Sequence, residues 1–192
     1  MTRALYGDLI SLQTAGIILG ILLIGGHLFA LLKPAFCQNF LKRFPRHKEI
    51  GIGLMAVNFL WTYWLVQNAD LGEFYTWKKA LTIIVPAGFF LVIFFVDEFL
   101  AARALGMFAL LFACPLLEVA FLKLPVSRLL IPIICYVWIV LGLFWVGMPY
   151  TLRDQISWVS KSSTRWNGLA AGGVVYGVAV LICAFAYWGG EI

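Results

Sequence analysis

The chain has 192 residues, of which 63% are hydrophobic and only 12% are charged, with a formal net charge of +5. A soluble domain carries about 25% charged residues, so this composition excludes a water-soluble globule, whose surface would lack the necessary charge. The basic residues lie at the ends of long apolar runs, which favours contact with lipid headgroups over nucleic acid and predicts an integral membrane protein.

Six apolar segments are long enough, or nearly so, to cross the hydrocarbon core as α-helices, which takes about 17 to 25 residues. Backbone groups in lipid must be paired, and the alternating pattern of a barrel strand is absent, so helix is the expected conformation. We therefore predict one all-α transmembrane domain over residues 1–192, a bundle with helices at 14–33, 50–67, 80–96, 104–122, 129–147 and 168–188.

Two of the segments between these helices have an amphipathic pattern. Residues 34–49 and 150–164 carry apolar side chains on one side and basic ones elsewhere, as with Phe36, Phe40 and Phe44 at steps of four. This pattern predicts short helices that lie in the membrane surface.

A basic residue stands three positions before a glycine near the start of each even-numbered predicted helix. Three diverged helical hairpins would produce this repeat. The alternative is that membrane helices commonly begin with a basic and a small residue. A cation at a helix N-terminus opposes the helix dipole, so we expect the basic side chains to contact lipid phosphate. The pairs are Lys48 and Gly51, Arg103 and Gly106, and Arg165 and Gly168.

Lysine and arginine are unequally divided between the two sides of the predicted bundle. Connectors 34–49, 97–103 and 148–167, together with Lys33, hold nine of them, against five on the opposite side. The positive-inside rule therefore predicts that these connectors are cytoplasmic and both termini outside. The lack of long soluble loops favours a bacterial inner membrane. The candidate headgroup ligands are Lys42, Arg43, Lys48, Arg103, Arg153, Lys161 and Arg165.

Small residues recur at intervals of four in the first and last predicted helices. Such stripes let another backbone approach closely, which is how helices gain contacts in lipid. The partner is either another helix of this chain or a neighbouring subunit. The candidate packing residues are Gly16 and Gly20 in the first helix and Gly168, Gly172, Gly173 and Gly177 in the last.

The candidate intramembrane polar residues are His27, Asn58 and Glu118. An ionisable group within the bilayer is a candidate functional residue by default. His27 could ligate a haem or a pigment, or it could be a neutral histidine hydrogen-bonded to a facing helix. Glu118 could serve a proton or cation path, although such paths normally use several polar groups around one cavity.

The sequence contains no phosphate-binding loop, no metalloprotease or nucleophile motif and no cluster of paired carboxylates. We therefore expect a non-catalytic accessory or scaffold subunit of a larger membrane complex. Its expected partners are membrane lipids and other transmembrane subunits or a second copy, without metal, cofactor or nucleic acid. Two alternatives stay open: a small transporter or channel with a path near Glu118 and His27, and a membrane subunit that holds a pigment or haem through His27.

Overall fold

A computed structural model describes residue 6, residues 9–95 and residues 99–189, without the side chains of Phe74 and Ile93. Over these residues the protein is all-helical. Short 3-10 turns at Phe44–Arg46, Gly72–Trp77 and Val126–Leu129 connect some of its helices. The α-helices are α1 (Leu12–Leu32), α2 (Pro34–Arg43), α3 (Lys48–Asn68), α4 (Lys78–Phe95), α5 (Leu100–Ala120), α6 (Leu130–Gly147), α7 (Tyr150–Ser160) and α8 (Ser163–Ala186).

Among the described residues, five helices are long and apolar enough to cross a membrane: α1, α3, α5, α6 with the turn before it, and α8. This confirms the predicted helical membrane bundle and identifies the chain as an integral membrane protein. The sixth predicted span, 80–96, forms α4. This helix has 18 residues, begins with two lysines and is not among the five. The amphipathic connectors 34–49 and 150–164 contain α2 and α7, which are helices as predicted.

Several helices begin earlier than the apolar pattern predicted, because each predicted start followed the last charged residue. A helix continues beyond the hydrocarbon core into the headgroup region, where a charged first turn is solvated. Residues 100–103 of the predicted connector 97–103 are therefore helical, while residues 97 and 98 lie outside the described residues. The observed starts are Lys48 rather than 50, Lys78 rather than 80, Leu100 rather than 104, and Ser163 rather than 168.

Helices α1 and α8 run antiparallel along one side of the bundle. At one end of the pair Gly16 packs against Trp188 and Ala184. At the other end the indole Nε1 of Trp166 donates a hydrogen bond of 3.0 Å to the Ala30 carbonyl oxygen. The two helices therefore stay in contact over most of their length.

Helix α5 lies at the centre of the bundle and contacts α1, α3 and α6. It runs antiparallel to α6, since Gly106 packs against Gly142. It runs parallel to α3, since Gly51 packs against Ala101 and Trp61 lies near Phe112 with 6.4 Å between ring centroids. Helix α4 packs on α3.

These directions define two ends of the bundle. Helices α2 and α7 contact each other at one end, which we call the connector end. The opposite end, which we call the terminal end, holds Tyr6, the turn Gly72–Trp77 and Trp188, whose Nε1 donates to the Ser127 hydroxyl at 2.9 Å. Both amphipathic connectors therefore lie at the same end of the bundle.

The main apolar core lies where α1, α5, α6 and α8 meet. Its fully buried side chains are Leu19, Ala113, Ile131, Cys135, Val180 and Ala184. The outer surfaces of the long helices are also apolar: Ile83, Phe94, Leu143 and Val175 are each more than half exposed. Apolar side chains inside and outside the same helices are what a bundle surrounded by lipid requires.

The main helix pairs differ from the three predicted hairpins. Helix α1 packs mainly on α8 rather than on α3, and α6 packs mainly on α5 rather than on α8. The glycines of the repeat also have different surroundings: Gly51 meets the backbone of Ala101, Gly106 meets Gly142, and Gly168 faces open space. The shared spacing therefore does not correspond to a shared role in packing.

Candidate lipid and partner surfaces

Four of the predicted packing glycines lie in the contact between α1 and α8, where another residue occupies the space of a side chain. A Cβ atom added at Gly20 or at Gly177 would lie 3.1 Å from the carbonyl oxygen of the other. The indole of Trp188 covers Gly16, and the imidazole of His27 covers Gly173. These glycines act within the chain, which is one of the two possibilities that the sequence left open.

Gly168 and Gly172 have different surroundings. Apart from its chain neighbours and the backbone of its own helical turns, no described atom lies within 4 Å of a Cβ added at either position, and the same holds for Gly25 and Gly26 on α1. Gly26 and Gly172 directly precede His27 and Gly173, which touch each other. Gly26 and Gly172 therefore lie at similar heights in the pair, and Gly168 lies one turn of α8 closer to the connector end. We call these four residues the open glycine surface.

The sequence did not reveal the glycine contact between α5 and α6. A Cβ added at Gly106 would lie 2.7 Å from the Gly142 carbonyl oxygen, and one added at Gly142 would lie 2.9 Å from the Gly106 carbonyl oxygen. Gly106 is the one glycine of α5, and Gly142 and Gly147 of α6 are five residues apart, so neither helix repeats glycine at intervals of four. Only the partner helix identifies these positions as close contacts.

His27 fills space inside the α1–α8 contact. Its Nδ1 is 2.8 Å from the Leu23 carbonyl oxygen, which can only accept a hydrogen bond from it, and the ring lies against Gly173. The described part of the chain holds no group of three or more His, Cys, Asp or Glu that could bind a metal ion. A pigment or haem at His27 stays a prediction.

Asn58 joins α3 to α5 in the interior. Its side chain is fully buried, and its Nδ2 donates a hydrogen bond of 2.7 Å to the Ala104 carbonyl oxygen. The amide Oδ1 has no hydrogen-bond partner among the described residues. A buried polar atom left unpaired costs about 1–3 kcal/mol, so this contact is less favourable than its single bond indicates.

Glu118 lies at the terminal end, where it holds the segment before α1. Its Oε1 accepts a hydrogen bond of 2.8 Å from the backbone N–H of Tyr6. The Tyr6 hydroxyl accepts from Trp61 Nε1 at 2.7 Å, and the Tyr6 ring packs on Trp64 with 5.6 Å between centroids. Burial raises the pKa of the Tyr6 hydroxyl, which keeps it neutral. Tyr6 therefore covers the neighbouring parts of α3 and α5.

The three candidate polar residues do not meet in one site. His27 lies between α1 and α8, Asn58 between α3 and α5, and Glu118 beside Tyr6 at the terminal end. A cavity of about 280 Å³ lies between α3, α4 and α5, but its lining contains none of the three. That lining is almost entirely apolar: Met55, Phe59, Thr62, Ile84, Val85, Gly88, Phe89, Val92 and Met107.

The connector end concentrates the basic residues on its surface. It carries nine lysines and arginines, against Glu49 and Asp154 as its described carboxylates. At the terminal end, four described cations accompany three described carboxylates. Of the predicted headgroup ligands, the exposed ones are Lys42, Arg43, Lys48, Arg153, Lys161 and Arg165.

Arg103 and Arg165, both predicted headgroup ligands, contact other helices of the protein. Arg103 is partly buried, and its Nη1 donates a hydrogen bond of 2.7 Å to the Val146 carbonyl oxygen in the last turn of α6. The helix dipole favours a cation there, so Arg103 caps α6, a contact that the sequence did not indicate. The Arg165 guanidinium lies 4.4 Å from the centre of the Trp158 ring, in cation–π contact.

Helices α2 and α7 enclose a groove of about 110 Å³ at the connector end. It is lined by Leu41, Lys42, Pro45, Arg153, Ile156 and Ser157. Beneath these helices, Phe44 and Leu152 are buried against Ala101 and Ala102 at the start of α5. The indole of Trp145 donates to the Gln155 amide oxygen at 2.9 Å, which attaches α7 to α6. Both connectors are therefore fixed to the bundle.

The fold and its surfaces define a multi-pass helical membrane protein with one strongly basic end and an open glycine surface. No protein family, no curated protein and no solved structure matches the chain. Its function is therefore inferred from its own residues.

Proposed function

We propose that the chain is a non-catalytic accessory or scaffold subunit of a larger membrane protein complex, packed against partner helices and lipids. The open glycine surface of Gly25, Gly26, Gly168 and Gly172 is the observation that carries this proposal. A glycine inside a helix costs about 1 kcal/mol relative to alanine. The glycines that touch another helix offset this cost by close packing within the chain, whereas this group of open glycines on two neighbouring helices would offset it against a partner helix.

The polar groups of the bundle support a structural role. Trp166, Asn58, Tyr176 and Arg103 donate hydrogen bonds to carbonyl oxygens of the chain's own helices. A transport path would need polar groups around one cavity, but the candidates lie at separate contacts. A scaffold therefore requires fewer additional assumptions than a transporter.

We also propose that the connector end faces the cytoplasm, in a bacterial inner membrane. The nine basic residues of that end support this orientation, because positively charged segments are retained on the cytoplasmic side. The exposed cations of the connectors then lie among the headgroups of the inner leaflet.

Extraction of the natural particle tests the proposed assembly. The chain has a mass of 21.5 kDa, and in mild detergent we expect it in a clearly heavier particle that contains at least one other subunit or a second copy. Gly172→Ile should release the chain from that particle, because a bulky side chain would block the close approach of a partner helix. Gly53→Ile is the matched control, since Gly53 is equally open but lies on α3.

A lone monomer in every mild detergent would overturn the proposal, as would a particle that Gly172→Ile leaves unchanged. Ion flux through vesicles that hold only this chain would favour the transport alternative instead. Visible absorbance lost in His27→Leu would favour the pigment or haem alternative.

A further inference from the structure

The groove between α2 and α7 brings together cations from two separate connectors. Lys42 comes from the last turn of α2 and Arg153 from α7, and both line the same cavity. Ser157 adds a hydroxyl, while Leu41 and Ile156 supply apolar walls. Two cations and a hydroxyl around an apolar groove suit an anion that carries a hydrocarbon portion.

The charges around this groove leave positive charge available to a ligand. Lys42 is exposed and makes no ion pair with any described residue. Arg153 pairs with its neighbour Asp154, whose Oδ1 lies 2.9 Å from Nη2, but both side chains are about half exposed. Solvent weakens such a pair to a fraction of a kcal/mol, so the Arg153 charge is only partly offset.

The position of the groove along the bundle matches the depth of lipid headgroups. Helix α2 follows directly after α1 and α7 directly after α6, so both lie where the apolar helices end. Phe40 and Trp158, on α2 and α7, are each about half exposed and apolar. An amphipathic helix at this level buries such side chains among acyl chains and presents its cations to phosphate.

We propose that this groove binds the phosphodiester of an anionic phospholipid, with Lys42 and Arg153 as its ligands and Ser157 as an additional donor. This inference rests on the proposed lipid contact of the connector end, but not on the proposed partner subunit. One lipid would then bridge the two connectors and stabilise their contact from the membrane side.

The test uses the purified full chain, freed of lipid, in a nonionic detergent. Binding of phosphatidylglycerol and of phosphatidylcholine with the same acyl chains is measured by native mass spectrometry and by the shift of the thermal unfolding midpoint. We expect tighter binding of phosphatidylglycerol. Binding should weaken about fivefold in Lys42→Gln or Arg153→Gln and about 30-fold in the double variant, as each cation near a surface contributes about that factor.

Two further variants separate this site from general charge attraction. Lys79→Gln combined with Arg128→Gln removes the same net charge at the terminal end, outside the groove, and should leave binding within about twofold of the original value. Asp154→Asn removes the carboxylate beside Arg153 and should strengthen binding of phosphatidylglycerol. Because this variant is expected to bind more tightly, it still tests the proposal if Lys42→Gln or Arg153→Gln does not fold.

Equal binding of the two lipids would overturn the proposal, and so would equal losses in the groove variant and the control. Inorganic phosphate is added alone at matched concentration. An equal stabilisation by phosphate would show that the groove takes a soluble anion rather than a lipid. Because the isolated chain is used, a failure here leaves the particle-mass test of the scaffold untouched.

Discussion

The α1–α8 contact and the α3–α4 contact join apolar helices in opposite ways. In the first, glycines such as Gly20 and Gly177 bring the two backbones together. In the second, large side chains meet: Phe59 stacks on Phe89 with 4.6 Å between centroids, and a cavity of about 280 Å³ stays open beside them.

This difference shows what holds two helices together in lipid. Acyl chains are as apolar as leucine, so burying an apolar side chain between helices gains little by itself. Close backbone approach adds many dispersion contacts, which a gap between large side chains forfeits. We therefore expect the α1–α8 contact to tolerate substitution poorly and the α3–α4 contact to tolerate it well.

The most disruptive change should be Gly177→Ile in the α1–α8 contact. A Cβ at Gly177 would lie 2.8 Å from Ile24, 3.0 Å from Leu23 and 3.1 Å from the Gly20 carbonyl oxygen, so the helices must separate. We expect the free energy of unfolding of the isolated chain, measured by detergent titration, to fall by about 3 kcal/mol. Gly172→Ile, on the same helix but open, should change it by less than about 0.5 kcal/mol.

Equal losses in these two variants would contradict the packing shown here. They would mean that both glycines of α8 meet the remainder of the chain. The open glycine surface would then no longer support a partner helix.

Asn58→Asp should have the next largest effect. Asn58 bonds α3 to α5, and α4 packs on α3, so this residue helps to hold both helices to the bundle. An ionised aspartate in the same buried place only accepts hydrogen bonds, so it loses the bond to Ala104, and protonating it to restore that bond costs free energy at neutral pH. We expect a loss of about 2 kcal/mol in the same titration. Asn58→Leu should cost less than about 1 kcal/mol, since it removes the unpaired oxygen together with the bond.

A leucine as harmful as the aspartate would show that the Asn58 amide is fully paired. The contact of α3 with α5 would then be stronger than its single hydrogen bond indicates.

The helices themselves could be predicted from the sequence because apolar length is a local property. A run such as residues 14–33 identifies a span without any knowledge of its neighbours. The amphipathic connectors were predictable for the same reason, since the faces of α2 and α7 follow from residue spacing alone. Helix starts were less accurate, because charge marks the limit of the hydrocarbon rather than the end of a helix.

Helix pairing could not be predicted, because spacing gives the faces of one helix but not the helix that meets them. Gly172 and Gly173 are neighbours in a single stripe, yet only Gly173 is covered by another helix. Neither Gly106 nor Gly142 has another glycine four residues away, yet they form one of the closest contacts. Arg103 matches the other basic residues in spacing, but only the fold brings the end of α6 within its reach.

The smallest effect, and the only gain, should come from Gly88→Ala in α4. Gly88 lines the cavity beside α3, and no described atom lies within 4 Å of a Cβ added there. Alanine favours helix over glycine, and its methyl group fills part of the cavity, so we expect stabilisation by about 0.5 kcal/mol.

Gly142→Ala is the matched control for this gain, since its Cβ would lie 2.9 Å from the Gly106 carbonyl oxygen. The same substitution should therefore destabilise the chain in α6 and stabilise it in α4, as read by the unfolding midpoint. A loss at both positions would show that α4 packs as closely as α6. Close backbone approach would then no longer distinguish the glycine contacts of α1–α8 and α5–α6 from the α3–α4 contact between large side chains.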